Sequence, residues 1–234
     1  MRGAVFLPEI ISVNEAVSLI NDGDTIMIGG FMGCGTAHKI VRALARSDKS
    51  GLILICNDAS MANGPDGDDY YGVAKLIHNG QIKKLYASHV GRNPEVAARM
   101  NEGTLEVVLI PQGSLAEMIR AGGAGLGGVI TPTGVGTVVE NSEHARGLIT
   151  IDGKKYLIEK PLRADVSLIN GYMIDTYGNI WYKGTTRNLN TVMATAADKV
   201  IAEADNLVGV GDIAPENIVT PGIFVDYIVD GGKA

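Results

Sequence analysis

Several features that define common protein classes are scarce in this sequence. Only two cysteines, Cys34 and Cys56, occur among 234 residues, which is too few for a disulfide framework or for paired CxxC zinc knuckles and suits a reducing compartment. Acidic residues outnumber basic ones, giving a net charge of −6, and no basic stripe is visible. A nucleic-acid-binding protein is therefore not expected.

Long apolar runs are also lacking. The run at residues 52–56 is far shorter than the roughly 18–20 residues that span a bilayer. The N-terminal stretch, residues 1–9, is too short and too soon interrupted by proline and glutamate to be a signal peptide. We therefore expect a cytoplasmic protein that does not enter a membrane.

The motifs of several catalytic and binding sites are absent. No HExxH motif, His/Cys cluster, GxSxG elbow or GxxxxGK[ST] phosphate loop occurs. Asp58, Asp66, Asp68 and Asp69 lack the spacing of a calcium-binding loop, so we predict a solvated acidic loop and no metal site. Residues 123–128 fit GxGxxG, but they follow a predicted helix, whereas a dinucleotide site follows a strand.

Glycine, in contrast, is abundant. It accounts for 31 of the 234 residues, about 13%, against an average usage of about 7%. Collagen is excluded because there is no Gly-X-Y period, and disorder is not expected because valine, isoleucine and leucine are plentiful. The glycines are therefore expected at tight turns and where the backbone approaches another group closely. The length fits a single domain, residues 1–234, on a scale of about 100–200 residues per domain.

The first two thirds of the chain alternate predicted strands and helices. Apolar strands are predicted at residues 25–28, 52–56, 84–88 and 105–110. Helices are predicted to begin at Ser12 and Ser114, each with a capping-box glutamate three residues later, and at Thr36, near residue 73 and at Asn93. This alternation predicts an α/β fold, with an open, mostly parallel sheet and helices on both faces.

The middle of the chain departs from this alternation. Residues 148–159 are predicted to form a hairpin through the Asp152-Gly153 turn, which adds a small antiparallel flap or sub-lobe. Further strands are predicted at residues 165–170, 199–204 and 224–229, with a helix near residues 190–197.

Three segments that follow predicted strands are candidates for a ligand site. Residues 29–35, which we call the glycine loop, lie between a strand and a helix, where exposed N–H groups suit an anion or a thioester oxygen. Asn57 and Gln112 follow two other strands, and the amide of Gln112 can donate to a carbonyl oxygen. The segments are expected to converge, because parallel strands end at one edge. The alternative is a tight turn and two ordinary turn residues.

The sequence resembles the class I (3-oxoacid) coenzyme A transferases, and within that family the alpha subunits. The similar segments are residues 22–35, 111–125, 131–137, 161–165, 183–188 and 220–222. They include the Gly-Gly-Phe-Met-Gly-Cys-Gly loop and the Pro-Gln-Gly-Ser sequence that begins at Pro111. The resemblance covers nearly the whole chain and its motifs are specific.

The resemblance implies a two-chain enzyme with a ping-pong reaction. A homologous beta subunit would supply the catalytic glutamate in a Ser-Glu-Asn-Gly-like segment, which this sequence lacks, and the chains would assemble as a heterotetramer or larger. That glutamate would form an acyl anhydride and then a glutamyl-CoA thioester, from which a carboxylic acid takes the CoA. The substrates would be acyl-CoA and carboxylates of the acetate, butyrate and acetoacetate class. CoA is then a co-substrate, and no permanently bound cofactor is expected.

The resemblance also implies roles for particular residues. The residues that correspond to the CoA-binding segment are Gly29, Gly30, Phe31, Met32, Gly33, Cys34 and Gly35. Gln112 corresponds to an active-site amide near the reacting carboxyl group, and Asn57 to a polar residue beside it.

Two departures from the family pattern bear on specificity. Ala37 stands where the family usually has proline, and residues 63–71 form a longer loop that reshapes the acyl pocket or only extends the surface.

Two other functions stay open on the residues alone. A self-sufficient sugar-phosphate isomerase of the same broad fold needs its own acid–base pair, and none can be assigned here. A non-catalytic ligand-binding module would bind a small molecule without turnover in the presence of any partner.

Overall fold

The computed structural model describes residues 7–65 and 67–232. The helices are α1 Val13–Ser18, α2 His38–Ala45, α3 Ala74–His78, α4 Pro94–Glu102, α5 Gln112–Gly123 and α6 Asn190–Met193. The strands are β1 Glu9–Ile11, β2 Thr25–Ile28, β3 Leu52–Ile55, β4 Met61–Ala62, β5 Tyr70–Tyr71, β6 Ile82–Ala87, β7 Glu106–Leu109, β8 Val129–Thr131, β9 Ala145–Ile151, β10 Lys154–Glu159, β11 Ala164–Asp175, β12 Ile180–Trp181, β13 Ala197–Val208 and β14 Tyr227–Asp230. Asp66 of the predicted acidic loop and residues 1–6 of the stretch considered as a signal peptide lie outside the described residues.

A large, mostly parallel sheet forms the centre of the fold. Its strand order is β1-β14-β13-β11-β2-β3-β6-β7, and only the short β12, beside β11, is antiparallel to its neighbour in the described part of this sheet. Helices α1 to α4 pack on one face through residues such as Ile40, Leu76 and Val96. Helices α5 and α6 pack on the other face through Met118 and Met193. The predicted open parallel sheet with helices on both faces is confirmed.

A smaller antiparallel sheet has the order β8-β10-β9. The predicted hairpin joins β9 to β10, and both residues of its turn, Asp152 and Gly153, have positive φ, as a tight two-residue hairpin turn requires. The predicted flap is therefore confirmed. Strand β8 was not predicted, because three residues are too few to show an alternating pattern.

Three predicted helix starts are correct, and one of them is α3, which begins at Ala74 where a start near residue 73 was predicted. Ser12 and Glu15 form the predicted capping box, in which each side chain accepts a hydrogen bond from the backbone N–H of the other residue. Asn93 caps α4 through the Glu95 N–H, with Pro94 in the first turn.

Two other predicted helix starts are wrong. Helix α2 begins at His38, and the Thr36 hydroxyl donates to the Gly29 carbonyl oxygen at 3.1 Å instead of capping the helix. Helix α5 begins at Gln112, so Ser114 is buried inside its first turn rather than at its N-cap, and Glu117 pairs with Arg120. The boundary of α2 is set by a tertiary contact, the hydrogen bond between Thr36 and Gly29. The boundary of α5 is set by the earlier proline, Pro111.

The second half of the parallel sheet also differs from the prediction. Strands β11 and β13 run well beyond the predicted ranges, because they pair with each other from Ala164 to Asp175. Strand β14 begins only at Tyr227, since a 3₁₀ turn occupies Gly222–Phe224, and α6 ends at Met193.

In the described part of the chain, no helix is both long enough and apolar enough to cross a membrane.

Candidate active site

The three predicted site segments meet at the carboxyl edge of the parallel sheet. The glycine loop follows β2, Asn57 follows β3, and Gln112 begins α5 just after β7. The Gln112 Nε2 lies 3.5 Å from Asn57 Oδ1, and Asp58, the next residue, accepts a hydrogen bond from the Met32 N–H of the loop at 2.9 Å. The predicted convergence is therefore present in the structure.

Gln112 and Asn57 differ in how firmly they are held. Asn57 is buried, and its Nδ2 donates to Asp58 Oδ2 at 3.2 Å. Gln112 is exposed, and its contact with Asn57 is at the long end of the hydrogen-bond range. A glutamine amide has two N–H donors and a carbonyl acceptor, so the exposed Gln112 side chain retains capacity for a ligand.

Asp58 holds the loop and does not belong to a solvated acidic loop. It is buried, and its two oxygens accept from the Ser60 N–H at 2.7 Å and from the Met32 N–H. Asp68 does lie near the surface, where it pairs with Lys75. The acidic-loop prediction is thus wrong for Asp58, because a buried turn needed an acceptor for these N–H groups. Among the described residues, no group of three or more His, Cys, Asp or Glu side chains could hold a metal.

The glycine loop turns back on itself. Phe31 and Cys34 exchange two backbone hydrogen bonds, of 3.0 and 2.9 Å, around Met32 and Gly33, which both have positive φ. A methyl group at Gly33 would overlap the ring of Tyr71. Among the described residues, the N–H groups of Gly33 and Gly35 have no hydrogen-bond acceptor. These two N–H groups are therefore the donors of the loop that are not used within the described chain, at a buried residue, Gly33, and a half-buried one, Gly35.

The N-terminus of α2 is already occupied by a carboxylate of this chain. The buried Glu203, on β13, accepts from the Lys39 N–H at 3.1 Å and from the Ile40 N–H at 2.9 Å. Burial raises the pKa of Glu203, and these two hydrogen bonds oppose that shift. The Lys39 and Ile40 N–H groups are therefore not available to a ligand. Sequence reasoning missed Glu203, although an acidic residue inside an apolar strand was the signal for it.

Two asparagines that sequence reasoning also missed contact the loop. Asn188 Oδ1 accepts from the Gly30 N–H at 3.0 Å, and Asn190 Nδ2 donates to the Gly35 carbonyl oxygen at 2.9 Å. Asn188 lies in one of the segments that carried the family resemblance, but no role was assigned to it. Their polarity in a segment between two strands was the only available signal.

The two departures from the family pattern both lie beside the loop. Strands β4 and β5 pair as a short hairpin, and the ring of Tyr71 lies 4.8 Å from that of His38. Ala37 is buried and precedes α2 without a side-chain cap. A cavity of about 480 Å³ opens next to the loop and is lined in part by Cys34, Gly35 and Tyr71. Tyr71, the last residue of the longer segment, thus contributes to the wall of this cavity.

A family profile and two relatives identify the same family. The profile of the family described as Coenzyme A transferase matches residues 10–231. The chain is 47% identical over 221 residues to the acetate CoA-transferase subunit alpha of Escherichia coli strain K12, covering 94% of this chain and 96% of that protein. It is also 47% identical over 221 residues to the acetoacetyl-CoA:acetate/butyrate CoA transferase alpha subunit of Clostridium acetobutylicum, covering 94% and 97%.

A solved structure shows the same fold in a longer chain. The acyl-CoA transferase of Escherichia coli O157:H7, crystallised as a thioester complex with CoA, superposes with a TM-score of 0.79 at 23% identity. The match covers 96% of this chain and 47% of that chain, so this chain spans about half of that protein's length.

Proposed function

This chain belongs to the coenzyme A transferase family, and on that premise we propose that it is the alpha subunit of an enzyme that moves CoA from a short-chain acyl-CoA to a carboxylic acid. The observation that carries the proposal is the convergence of the glycine loop, Asn57 and Gln112 at one sheet edge. Relatives that are 47% identical are named as alpha subunits, and their names point to acetate, butyrate and acetoacetate as substrates. Residues 1–234 form one domain in this proposal.

The glycine loop, Gly29 to Gly35, is the proposed CoA-binding segment. Its Gly33 and Gly35 N–H groups are unpaired within the described residues and can donate to a thioester oxygen. The adjoining cavity of about 480 Å³ lies in the size range of ligand sites, about 300–1,000 Å³. CoA enters as a co-substrate and leaves on the product, so the proposal includes no permanently bound cofactor.

Gln112 is the proposed electrostatic partner of the reacting carbonyl group. Its exposed amide can donate to the oxygen on which negative charge develops. The buried Asn57, which is itself bonded to Asp58, accepts a hydrogen bond from the Gln112 amide. A preorganised donor of this kind is worth about 2.7–4 kcal/mol in the barrier. Gln112 and Asn57 thus support the reaction without forming a bond to the substrate.

The covalent step requires a nucleophile from a second chain. The two buried carboxylates nearest the glycine loop, Asp58 and Glu203, are both committed to backbone N–H groups. We therefore assign the catalytic glutamate to a homologous beta subunit, with the two chains assembling as a heterotetramer or larger. The same commitment of both carboxylates disfavours a self-sufficient isomerase, which needs a free acid–base pair in the site.

The proposal is tested by co-expressing the chain with the homologous chain and assaying a matrix of acyl-CoA donors and carboxylate acceptors. We expect co-purification, CoA transfer among acetate, butyrate and acetoacetate, and a CoA adduct on a glutamate of the partner, detected by mass spectrometry after incubation with acyl-CoA alone. A complex that transfers no CoA and forms no adduct would contradict the proposal.

A variant of this chain tests its own share of the site. In the assembled complex, Gln112→Ala is expected to lower kcat by about 10²–10³-fold, because one donor to the developing charge is lost. Gln81→Ala is the matched control, since its amide donates to the Leu44 and Lys49 carbonyl oxygens just before β6, at the edge of the sheet opposite to the glycine loop. An unchanged kcat/KM in Gln112→Ala would remove this residue from the mechanism.

A further inference from the structure

We infer that Asn188 and Asn190 are positioning residues that set the conformation of the glycine loop and hence the direction of its free N–H groups. The effect on CoA transfer rests on the proposed function, whereas the effect on the loop does not. Both residues lie about 155 positions after the loop in the chain, so only the folded protein brings them to it.

Asn190 is the more deeply buried of the two, with 0% of its surface exposed. Its Nδ2 donates to the carbonyl oxygens of Gly35, at 2.9 Å, and Thr186, at 2.8 Å. Its Oδ1 accepts from the Asn170 N–H, on β11, at 3.2 Å. The end of the loop is therefore tied to the central sheet through a side chain whose two donors and carbonyl oxygen are all used.

Asn188 holds both ends of the loop at once. Its Oδ1 accepts from the Gly30 N–H, and its Nδ2 donates to the Cys34 carbonyl oxygen at 3.0 Å. A carboxylate in this place would keep the acceptor but lose the donor, and an alanine would lose both. A single amide side chain thus satisfies an N–H and a carbonyl group at the two ends of one turn.

The glycines of the loop match these asparagines. A methyl group at Gly29 would overlap Asn190 Oδ1, and one at Gly35 would overlap the Thr186 carbonyl oxygen. Gly29 does not have a positive φ, so its lack of a side chain is explained by the close approach of the amide and not by backbone conformation. Part of the glycine excess thus exists to admit Asn190 and its neighbours.

Hydrogen exchange of the full-length chain tests the positioning role without any need for activity. We expect the amides of residues 29–36 to exchange about tenfold faster in Asn190→Ala and Asn188→Ala, because each lost hydrogen bond lowers the free energy of local opening. Asn188 is only half-buried, so Asn188→Ala remains informative if Asn190→Ala does not fold.

The matched control is Gln81→Ala. Gln81 is 5% exposed, and its amide also donates to backbone carbonyl oxygens, those of Leu44 at 2.8 Å and Lys49 at 2.9 Å. Its loss is expected to lower global stability while leaving exchange in residues 29–36 unchanged. Equal exchange of the loop in wild type, Asn188→Ala and Asn190→Ala would overturn the inference, whatever the activity of the complex.

Kinetics of the assembled complex then test the consequence for the reaction. We expect kcat/KM for acyl-CoA to fall by about 10²-fold in Asn188→Ala, the loss that follows when a substrate-positioning group moves by about 1 Å. In Gln81→Ala, kcat/KM is expected to stay within about twofold of wild type. Asn188→Asp is expected to fall between Asn188→Ala and wild type, because it keeps the acceptor for Gly30.

The two proposals fail in different ways. Faster loop exchange with an unchanged kcat/KM would overturn the link from these asparagines to CoA transfer and leave the proposed function standing. A wild-type complex without transferase activity would contradict the proposed function, and the positioning role would then be decided by exchange alone.

Discussion

Buried polar groups near the glycine loop and beneath the antiparallel sheet differ in how completely they are hydrogen-bonded. Around the loop, Asn57, Asp58, Asn190 and Glu203 are all buried, and each makes hydrogen bonds with backbone or side-chain groups. Among the described residues there, the Ser60 hydroxyl and the N–H groups of Gly33 and Gly35 have no partner. The loop is thus surrounded by a nearly complete hydrogen-bond network.

Under the antiparallel sheet, the situation is reversed. His144, just before β9, and Glu159, at the end of β10, are 3% and 0% exposed. Their side-chain nitrogens and oxygens have no hydrogen-bond partner among the described residues, and the two side chains approach only to 3.8 Å. Burial raises the pKa of Glu159 and lowers the pKa of His144. For His144, the neighbouring Glu143 opposes this shift and Lys160 adds to it.

This difference separates polar burial that specifies a conformation from polar burial that costs stability. A satisfied network favours one arrangement of the glycine loop, since any other arrangement leaves donors or acceptors unpaired. An unpartnered histidine and glutamate instead favour their neutral forms, which makes the stability of the small sheet depend on pH. The predictions below test this contrast.

The largest effect is expected where the network is broken sterically. In Gly29→Ala, the new methyl group displaces the Asn190 amide and leaves buried groups unpaired, so we expect a loss of about 3–5 kcal/mol in the free energy of unfolding. Urea denaturation measures it. The control is Gly127→Ala, in the loop before the small sheet, where a methyl group meets no atom within 4 Å. Similar losses in both variants would show that the contact with Asn190 is unimportant.

A smaller loss is expected when one acceptor of the network is removed. Asp58→Asn keeps the shape of the side chain but replaces an acceptor oxygen with a donor, so either the Met32 or the Ser60 N–H loses its partner. We expect destabilisation by about 2–3 kcal/mol in urea denaturation. Asp22→Asn, which alters a single bond from the Ser50 N–H in an exposed turn, is expected to cost less than about 1 kcal/mol. An unchanged free energy of unfolding in Asp58→Asn would show that these two hydrogen bonds of Asp58 are unimportant.

The opposite sign is expected beneath the small sheet. Because the pKa of Glu159 is raised above 4.5 on folding, its contribution to stability is present at low pH and is lost as the pH rises through the folded-state value. Glu159→Gln removes this loss, so its stability relative to wild type is expected to increase from pH 5 to pH 8. His144, whose pKa is lowered on folding, acts in the opposite direction and is present in both proteins.

The Glu159 experiment needs urea denaturation of both proteins at the two pH values. Glu102→Gln, which changes an exposed carboxylate at the end of α4, serves as the control and is expected to show no comparable trend. A relative stability of Glu159→Gln that falls with rising pH would mean that Glu159 has a partner in the folded chain.

The smallest effect is expected on the outer face of the small sheet. Ile149 is 38% exposed and pairs across the strands with Tyr156, on the face opposite to the buried Leu157. Ile149→Thr is expected to change the unfolding free energy by no more than about 0.5 kcal/mol in the isolated chain. A loss above about 2 kcal/mol in the free energy of unfolding would show that the Ile149 side chain is buried on this face.

The sequence alone predicted much of the parallel sheet. Strands β2, β3, β6 and β7 were identified because short apolar runs alternate with helix-start signals, and both features are local. The convergence of the glycine loop, Asn57 and Gln112 was also predictable, because the carboxyl ends of parallel strands meet at one edge. Their roles in CoA transfer stay predictions.

What only the tertiary structure decided is how that edge is held together. The parallel register of β11 and β13 places Asn170 beside Glu203, so one end of the sheet carries both the contact to Asn190 and the acceptor for the N-terminus of α2. Thr36 does not cap α2, because Glu203 already accepts from the Lys39 and Ile40 N–H groups, and Asp58 does not face solvent, because it accepts from the Met32 and Ser60 N–H groups. Local composition determines where strands and turns form, but hydrogen bonds between residues more than 150 positions apart depend on strand order and register, which no short window of sequence contains.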